Sequence, residues 1–379
     1  MTRFQPLHDA HVAPTVFFIL LISGSGLAQQ RALTIDEIYN PVQRVNFNGR
    51  TPPELTWLSD THYLQREPGT TGGRTSLLSV DADTGTSRPL FDVDKLETSL
   101  AEIPGMSGQA AHLAVHTGHF IWNHDHTAGV MDISNDLYHF GVNDRDPLST
   151  VQVRRLTRDP AKESMPSFSP DGTLVAFVRN HNLTVVDVDQ RREWALTNSG
   201  NTELLNGELD WVYQEEIYGR GNFKGYWWSP DSSRLAYLQT DESPVEEFIV
   251  INHLPYRLGV ESTNYPKAGD LNPLVRLGVI QAVGGDTIWV DLSNYTPTDM
   301  LLVGISWSPD SDAVVFQVQD REQTWLDLNV ADAETGVTTR LFQETTPAWV
   351  NVNGDPTWLD DGTFLWLSER SGWKHLYHY

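Results

Sequence analysis

The feature that most constrains this chain is a turn that recurs along it. An aromatic residue, a Ser-Pro-Asp-type turn and a run of alternating apolar residues appear in sequence. The copies are Phe168-Ser169-Pro170-Asp171-Gly172 before LVAFV, Trp228-Ser229-Pro230-Asp231 before RLAYL, Trp307-Ser308-Pro309-Asp310 before AVVFQV, Trp358-Leu359-Asp360-Asp361-Gly362 before TFLWL, and Trp57-Leu58-Ser59-Asp60 before THYLQ. Proline presets φ at the first turn position, aspartate bonds its own backbone, and glycine accepts a positive φ. The flanking runs alternate and are rich in β-branched and aromatic residues, so they read as strands. The turn aspartates at 60, 171, 231, 310 and 361 are separated by 111, 60, 79 and 51 residues. A unit of about 50–60 residues fits if a weaker copy fills the first gap, and the segment HLAVHTGHFI at 112–121 is the expected place. The 79-residue gap then holds an insertion, expected over 241–267.

A unit of that length carries four strands. Such units form β-propeller blades that bury their faces against one another around an axis. The expected fold is therefore all-β, a propeller of about six four-stranded blades. Helix signals are few: residues 208–218 (ELDWVYQEEIY) and 33–39. Composition narrows the function classes. The 13 Trp and 10% aromatic residues exclude a disordered chain. Zero cysteine excludes thiol catalysis, disulfides and thiolate metal sites. A formal charge of −24 argues against nucleic acid as a partner, because phosphate binding needs Lys and Arg.

The run VFFILLI at 16–22, followed by small residues with Gly26 and Ala28 at −3 and −1, has the pattern of a secretory signal peptide over residues 1–28. The alternative is an uncleaved N-terminal anchor. The remainder, 29–379, is expected to be exported to the periplasm or envelope, or secreted.

Asp210-Trp211-Val212-Tyr213-Gln214-Glu215-Glu216-Ile217 resembles the paired-glutamate segment of dipeptidyl-peptidase IV-type serine peptidases of the prolyl oligopeptidase clan. Other pieces agree in order. They are Leu33-Thr34-Ile35-Asp36-Glu37-Ile38-Tyr39, as at the start of bacterial members, Tyr226-Trp227-Trp228-Ser229-Pro230-Asp231, Tyr265-Pro266-Lys267-Ala268-Gly269 with Asn272-Pro273, Trp307-Ser308-Pro309-Asp310, and Ser368-Glu369-Arg370-Ser371-Gly372-Trp373. The resemblance implies an eight-bladed propeller beside a C-terminal α/β-hydrolase domain. It implies release of N-terminal dipeptides, usually after proline or alanine, and a possible homodimer. It also implies that Glu215 and Glu216 bind the α-ammonium group of a peptide with a free N-terminus. The chemistry is sound, because paired carboxylates make charge-assisted hydrogen bonds to an ammonium.

No G-x-S-x-G nucleophile elbow is present outside the leader, where Gly24-Ser25-Gly26 lacks the spacing. The chain is therefore expected to be the incomplete N-terminal propeller, without the Ser-Asp-His catalytic residues and inactive alone; no cofactor is expected. The resemblance also implies a propeller arginine that holds the substrate carbonyl, near 122–132. That window contains none, and His124, His126 or Arg145 are the substitutes to examine. Histidines 112, 116, 119, 124 and 126 read as surface or turn residues rather than metal ligands, with His124 and His126 sharing a strand face. The recurrent tryptophans read as packing between blades. Trp349 stands outside the turn pattern and reads equally as packing or cavity lining. The rival reading is a non-catalytic envelope propeller that binds peptides or proteins.

Overall fold

A computed structural model describes residues 34–39, 55–67, 76–117, 119–143, 146 and 149–379. Residues 1–28, the expected leader, and Arg145 lie outside the described residues. The chain divides into two compact units, 1–52 and 53–379. In the first, helix α1 (Ile35–Tyr39) opens with a reciprocal cap. The Glu37 N–H donates to Thr34 Oγ1, and the Thr34 N–H donates to Glu37 Oε2.

Among the described residues the second unit holds seven antiparallel sheets, six of which are the blades of a propeller. The first four strands form blade 1 between residues 56 and 89, the next four blade 2 between 121 and 155, and the next blade 3 between 163 and 195. Blade 5 runs from Met300–Trp307 to Thr338–Thr345, and blade 6 comprises Thr357–Trp358, Phe364–Ser368 and His375–His378. Blade 4 is built differently. Its first-strand edge is shared by two pieces, Leu204–Asn206 and Tyr226–Trp228, both paired to Arg234–Asp241. The chain between those pieces leaves the sheet. A second excursion, the hairpin Glu247–Asn252/Gly259–Asn264, lies inside the expected 241–267 insertion.

The period-2 alternation of each strand serves two interfaces at once. In blade 3, Val175 and Phe177 enter the core shared with blade 2, while Ala176 and Val178 enter the core shared with blade 4. Blade 4 repeats the division, with Leu235 and Tyr237 toward blade 3 and Ala236 and Leu238 toward blade 5. A strand covered on both faces loses its polar side, so Ala313–Asp320 is buried at seven consecutive positions.

The recurrent tryptophan has a second duty. Trp228 Nε1 donates to the Ser167 carbonyl in the preceding blade, and Trp307 Nε1 donates to the Trp227 carbonyl at the equivalent place one blade later. The turns are joined as well: the Asp171 N–H donates to Ser232 Oγ, and the Asp231 N–H to Ser311 Oγ, each 3.0 Å. Ser232 and Ser311 occupy the turn position that is glycine in blades 3 and 6, and they hold φ of 65° and 66°. A left-handed backbone costs a non-glycine residue about 1–2 kcal/mol, and the hydroxyl's bond to the neighbouring blade offsets it.

The weaker copy in the first gap is present but displaced. Residues 112–117 are not a strand. They belong to α3 (Gly108–Thr117), which packs with α2 (Val93–Ala101) between blades 1 and 2. Ala111 and Val115, four apart, face the core beside Leu96 and Leu100, a helical rather than a strand period. The turn itself is Trp122-Asn123-His124-Asp125. Asn123 Oδ1 accepts the Ala128 N–H, as Ser169 Oγ accepts the Leu174 N–H five residues on. Asparagine thus does the work of serine, which hid the repeat. His124 and His126 sit in this turn, His126 with φ of 55°, and do not share a strand face.

The serine latch can be measured. Ser232→Ala keeps the left-handed strain and loses the interblade bond, and is expected to cost about 1–2 kcal/mol in urea unfolding. Ser232→Gly loses the bond but relieves the strain, and is expected to be close to neutral. Equal effects of the two substitutions would show that the hydroxyl does not join the blades.

Candidate functional site

The excursion from the first-strand edge of blade 4 carries Glu215 and Glu216. It begins at Asp210, whose carboxylate accepts the N–H groups of Val212 (3.0 Å) and Tyr213 (3.1 Å) and so starts a helical turn. Burial pushes the Asp210 carboxyl up against these bonds, which lower it. The following residues, Tyr213–Ile217, form a π-helix rather than the longer α-helix that 208–218 predicts. The turn closes with the Tyr218 N–H on the Tyr213 carbonyl at 2.8 Å, an i→i+5 bond.

That wider turn explains the site. In an α-helix, residues five apart point about 140° from each other. Here the rings of Tyr213 and Tyr218 stack, 21° between planes. Both hydroxyls reach one residue of blade 5: Tyr213 Oη accepts the Leu302 N–H at 3.2 Å, and Tyr218 Oη donates to the Leu302 carbonyl at 3.1 Å. Met300–Trp307 is the edge strand of blade 5, with N–H and C=O groups facing away from its neighbour, and its register shifts between Leu302 and Gly304. Leu209, Val212 and Tyr213 are buried in the core between blades 4 and 5, and Ile217 packs on both that core and the one between blades 5 and 6. The glutamates therefore ride on a rigid mount, which precise ligand placement requires.

The chain leaves the turn through Gly219 and Gly221, with φ of 98° and 84°. Two left-handed glycines around Arg220 fold it back over the helix, where its Nε (2.6 Å) and a terminal guanidinium nitrogen both donate to Glu215 Oε1. The Glu215 side chain is 16% exposed and that of Arg220 is 84% exposed. The ion pair holds Arg220 above its ordinary value. Glu216 is exposed, and buried Gln214 accepts the Gly221 N–H.

Beside this mount lies a cavity of about 580 Å³ lined by residues from blades 2 to 5, including Trp122, His124, Phe168, Trp227, Trp307 and Lys224, and by Asp355. The turn aromatics converge here, as they must if each blade presents the same edge to the axis. Tyr218 meets Trp227 at 5.7 Å, so the glutamate mount and the cavity wall touch. Burial lowers the Lys224 ammonium and raises the Asp355 carboxyl. Neither residue was singled out in the sequence, because neither sits in the repeat.

Of the two histidines expected as substitutes for the missing arginine, His124 lines the cavity. His126 lies 6.0 Å from the Trp122 ring, and its burial lowers its basicity. His119 and His124 are surface residues, as expected. His116 is not: it is buried on α3 and bonded to Glu97. Trp349 is 63% exposed, so it is not a packing residue.

Residues 130–379 match the family model of the dipeptidyl peptidase IV N-terminal region. The chain belongs to that family. It is similar to "Probable dipeptidyl-aminopeptidase B" of Phaeosphaeria nodorum, 33% identical over 195 residues, which are 48% of this chain and 21% of that protein. It is also similar to "Probable dipeptidyl peptidase 4" of Aspergillus clavatus, 27% identical over 234 residues, 56% of this chain and 29% of that one. Among solved structures, Porphyromonas gingivalis dipeptidyl peptidase 4 superposes with a TM-score of 0.69 at 22% identity, covering 86% of this chain and 45% of the other. That likeness establishes the propeller fold. The matches span between about a fifth and a half of the relatives' length.

Proposed function

We propose that this propeller anchors and admits the substrate of an exported dipeptidyl peptidase, with Glu215 and Glu216 receiving the α-ammonium group of a peptide's first residue. The observation that carries the reading is the ion pair already made at this place. A carboxylate on a rigid, half-buried mount accepts two N–H donors of a cation, Arg220, on one oxygen. A peptide ammonium offers donors of the same kind, and Arg220 is exposed enough to swing aside. The nearby cavity gives an extended peptide room to approach. Peptide-bond cleavage belongs, in this reading, to a serine-type catalytic region beyond these residues.

The test compares an Ala-Pro peptide bearing a free N-terminus with its acetylated form, by calorimetry on this chain. Each charge-assisted bond lost is worth about 1.5–3 kcal/mol, so acetylation or Glu215→Gln is expected to weaken binding at least about tenfold. Glu216→Gln, at an exposed position, is expected to weaken binding in the same direction without disturbing the fold. Equal affinity for both peptides would overturn the assignment.

Export is proposed from the leader pattern at 1–28. Chain recovered from the cell envelope with Gln29 as its first residue is the expected result, and an intact Met1 would contradict cleavage there.

Self-association is proposed through the 247–264 hairpin. It presents Ile249, Val250, Leu254, Tyr256 and Val260 to solvent, exposed apolar side chains of the kind that mark interaction sites. Ile249→Asp is expected to turn a dimer into a monomer in light scattering. A monomeric parent chain would rule out this surface as a homodimer contact.

A further inference from the structure

A second cluster of ionisable side chains lies apart from the glutamate mount, where α2 and α3 cover the core between blades 1 and 2. His112 and His116 are one helical turn apart on α3, so they share a face. Their ring centroids are 4.5 Å apart. Glu97, on α2, reaches both: its Oε2 lies 2.9 Å from His116 Nε2 and 3.2 Å from His112 Nδ1. The three ligand atoms all fall within 4.8 Å of one another.

We propose that Glu97, His112 and His116 form a binding site for a first-row divalent cation of the zinc type, one that ties α2 to α3. Two imidazoles and a carboxylate are a donor set that zinc accepts, with a fourth position left to solvent. Metal–ligand bonds of about 2.0–2.2 Å in tetrahedral geometry place ligand atoms about 3.3–3.6 Å apart. The observed separations from the carboxylate oxygen need to widen by only a few tenths of an ångström. Both rings already aim a nitrogen at one point, from backbones fixed by tertiary packing. Asp92 caps α2 through the N–H groups of Asp94 and Lys95, and Ser107 caps α3 through that of Ala110. Leu96 and Leu100 on α2 and Ala111 and Val115 on α3 hold the two helices in the blade 1–2 core with Phe91 and Phe140.

Access and chemistry agree. The His116 side chain is 2% exposed and forms the floor, while those of Glu97 and His112, at 29% and 48%, leave the cluster open to solvent on one side. Hard cations such as Mg2+ and Ca2+ prefer oxygen ligands and fit this nitrogen-rich set poorly. The chain contains no cysteine to compete for a softer ion.

The test is a titration of the full chain, first stripped with a chelator, with zinc chloride, and with magnesium and calcium chloride as controls. One zinc per chain is expected at this site, with a thermal midpoint that rises as zinc is added. Magnesium and calcium are expected to give neither effect. His112→Ala removes an exposed ligand without touching the core. It is expected to weaken that binding event by more than about tenfold, since even partners outside the coordination sphere are worth 10–100-fold, and to abolish the rise in midpoint. Glu97→Gln is expected to do the same. Zinc binding of unchanged affinity and stoichiometry in a folded His112→Ala chain would place the metal elsewhere and overturn the proposal, as would the absence of saturable binding below millimolar zinc.

Discussion

The structure depends on how each blade is joined to its neighbour. Apolar alternation supplies the bulk of the cohesion, because odd and even residues of one strand enter two different cores. Apolar contact alone does not fix angle or register, since it has no direction. At the junctions of blades 3 with 4 and 4 with 5, direction comes from a repeated pair of hydrogen bonds. An indole N–H reaches the preceding blade's first strand, and a turn serine accepts a backbone N–H of the preceding blade's turn. These bonds explain why tryptophan rather than phenylalanine precedes the turn in blades 4 and 5, and why serine tolerates a left-handed backbone there.

The glutamate mount uses the same frame for another purpose. The first-strand edge of blade 4 is interrupted so that some twenty residues can leave the sheet and return to it. An insertion of that kind could wander. Here the π turn brings two tyrosines onto one face, and the edge strand of blade 5 offers them a donor and an acceptor on a single residue. The wide turn sets the direction of the intervening carboxylates, because at α-helical spacing the same five residues would turn the two tyrosines about 140° apart.

Much of the architecture was legible in the sequence because the turn chemistry is local. Proline, aspartate and glycine announce a turn without help from the rest of the chain, and the insertion in blade 4 showed itself as an overlong interval. Reading failed where one polar side chain replaced another of equal capability. Asn123 accepts the same backbone N–H that serine accepts elsewhere, so the second blade's turn was displaced in the reading toward a helix. That helix, α3, was itself obscured by its two histidines, which read as part of a longer histidine-rich segment. The glutamate pair was legible as a motif, but its π geometry was not, since it depends on Leu302, more than eighty residues away. Glu97 was invisible as a partner of His112 and His116 for a related reason: only the packing of α2 on α3 brings it near.

The polarity of the blade junctions bears on how the protein is made. Each directional bond described here links a blade to the one synthesised just before it. A blade emerging from the ribosome therefore meets a template that is already present, and it need not wait for any later residue to find its angle. Domains that emerge first tend to fold first, and a junction of this kind carries that tendency down to single blades. The chain can assemble as a series of steps, the described junctions closing spans of 61 and 80 residues. A mutation in one junction would then delay the blades after it and leave those before it unaffected.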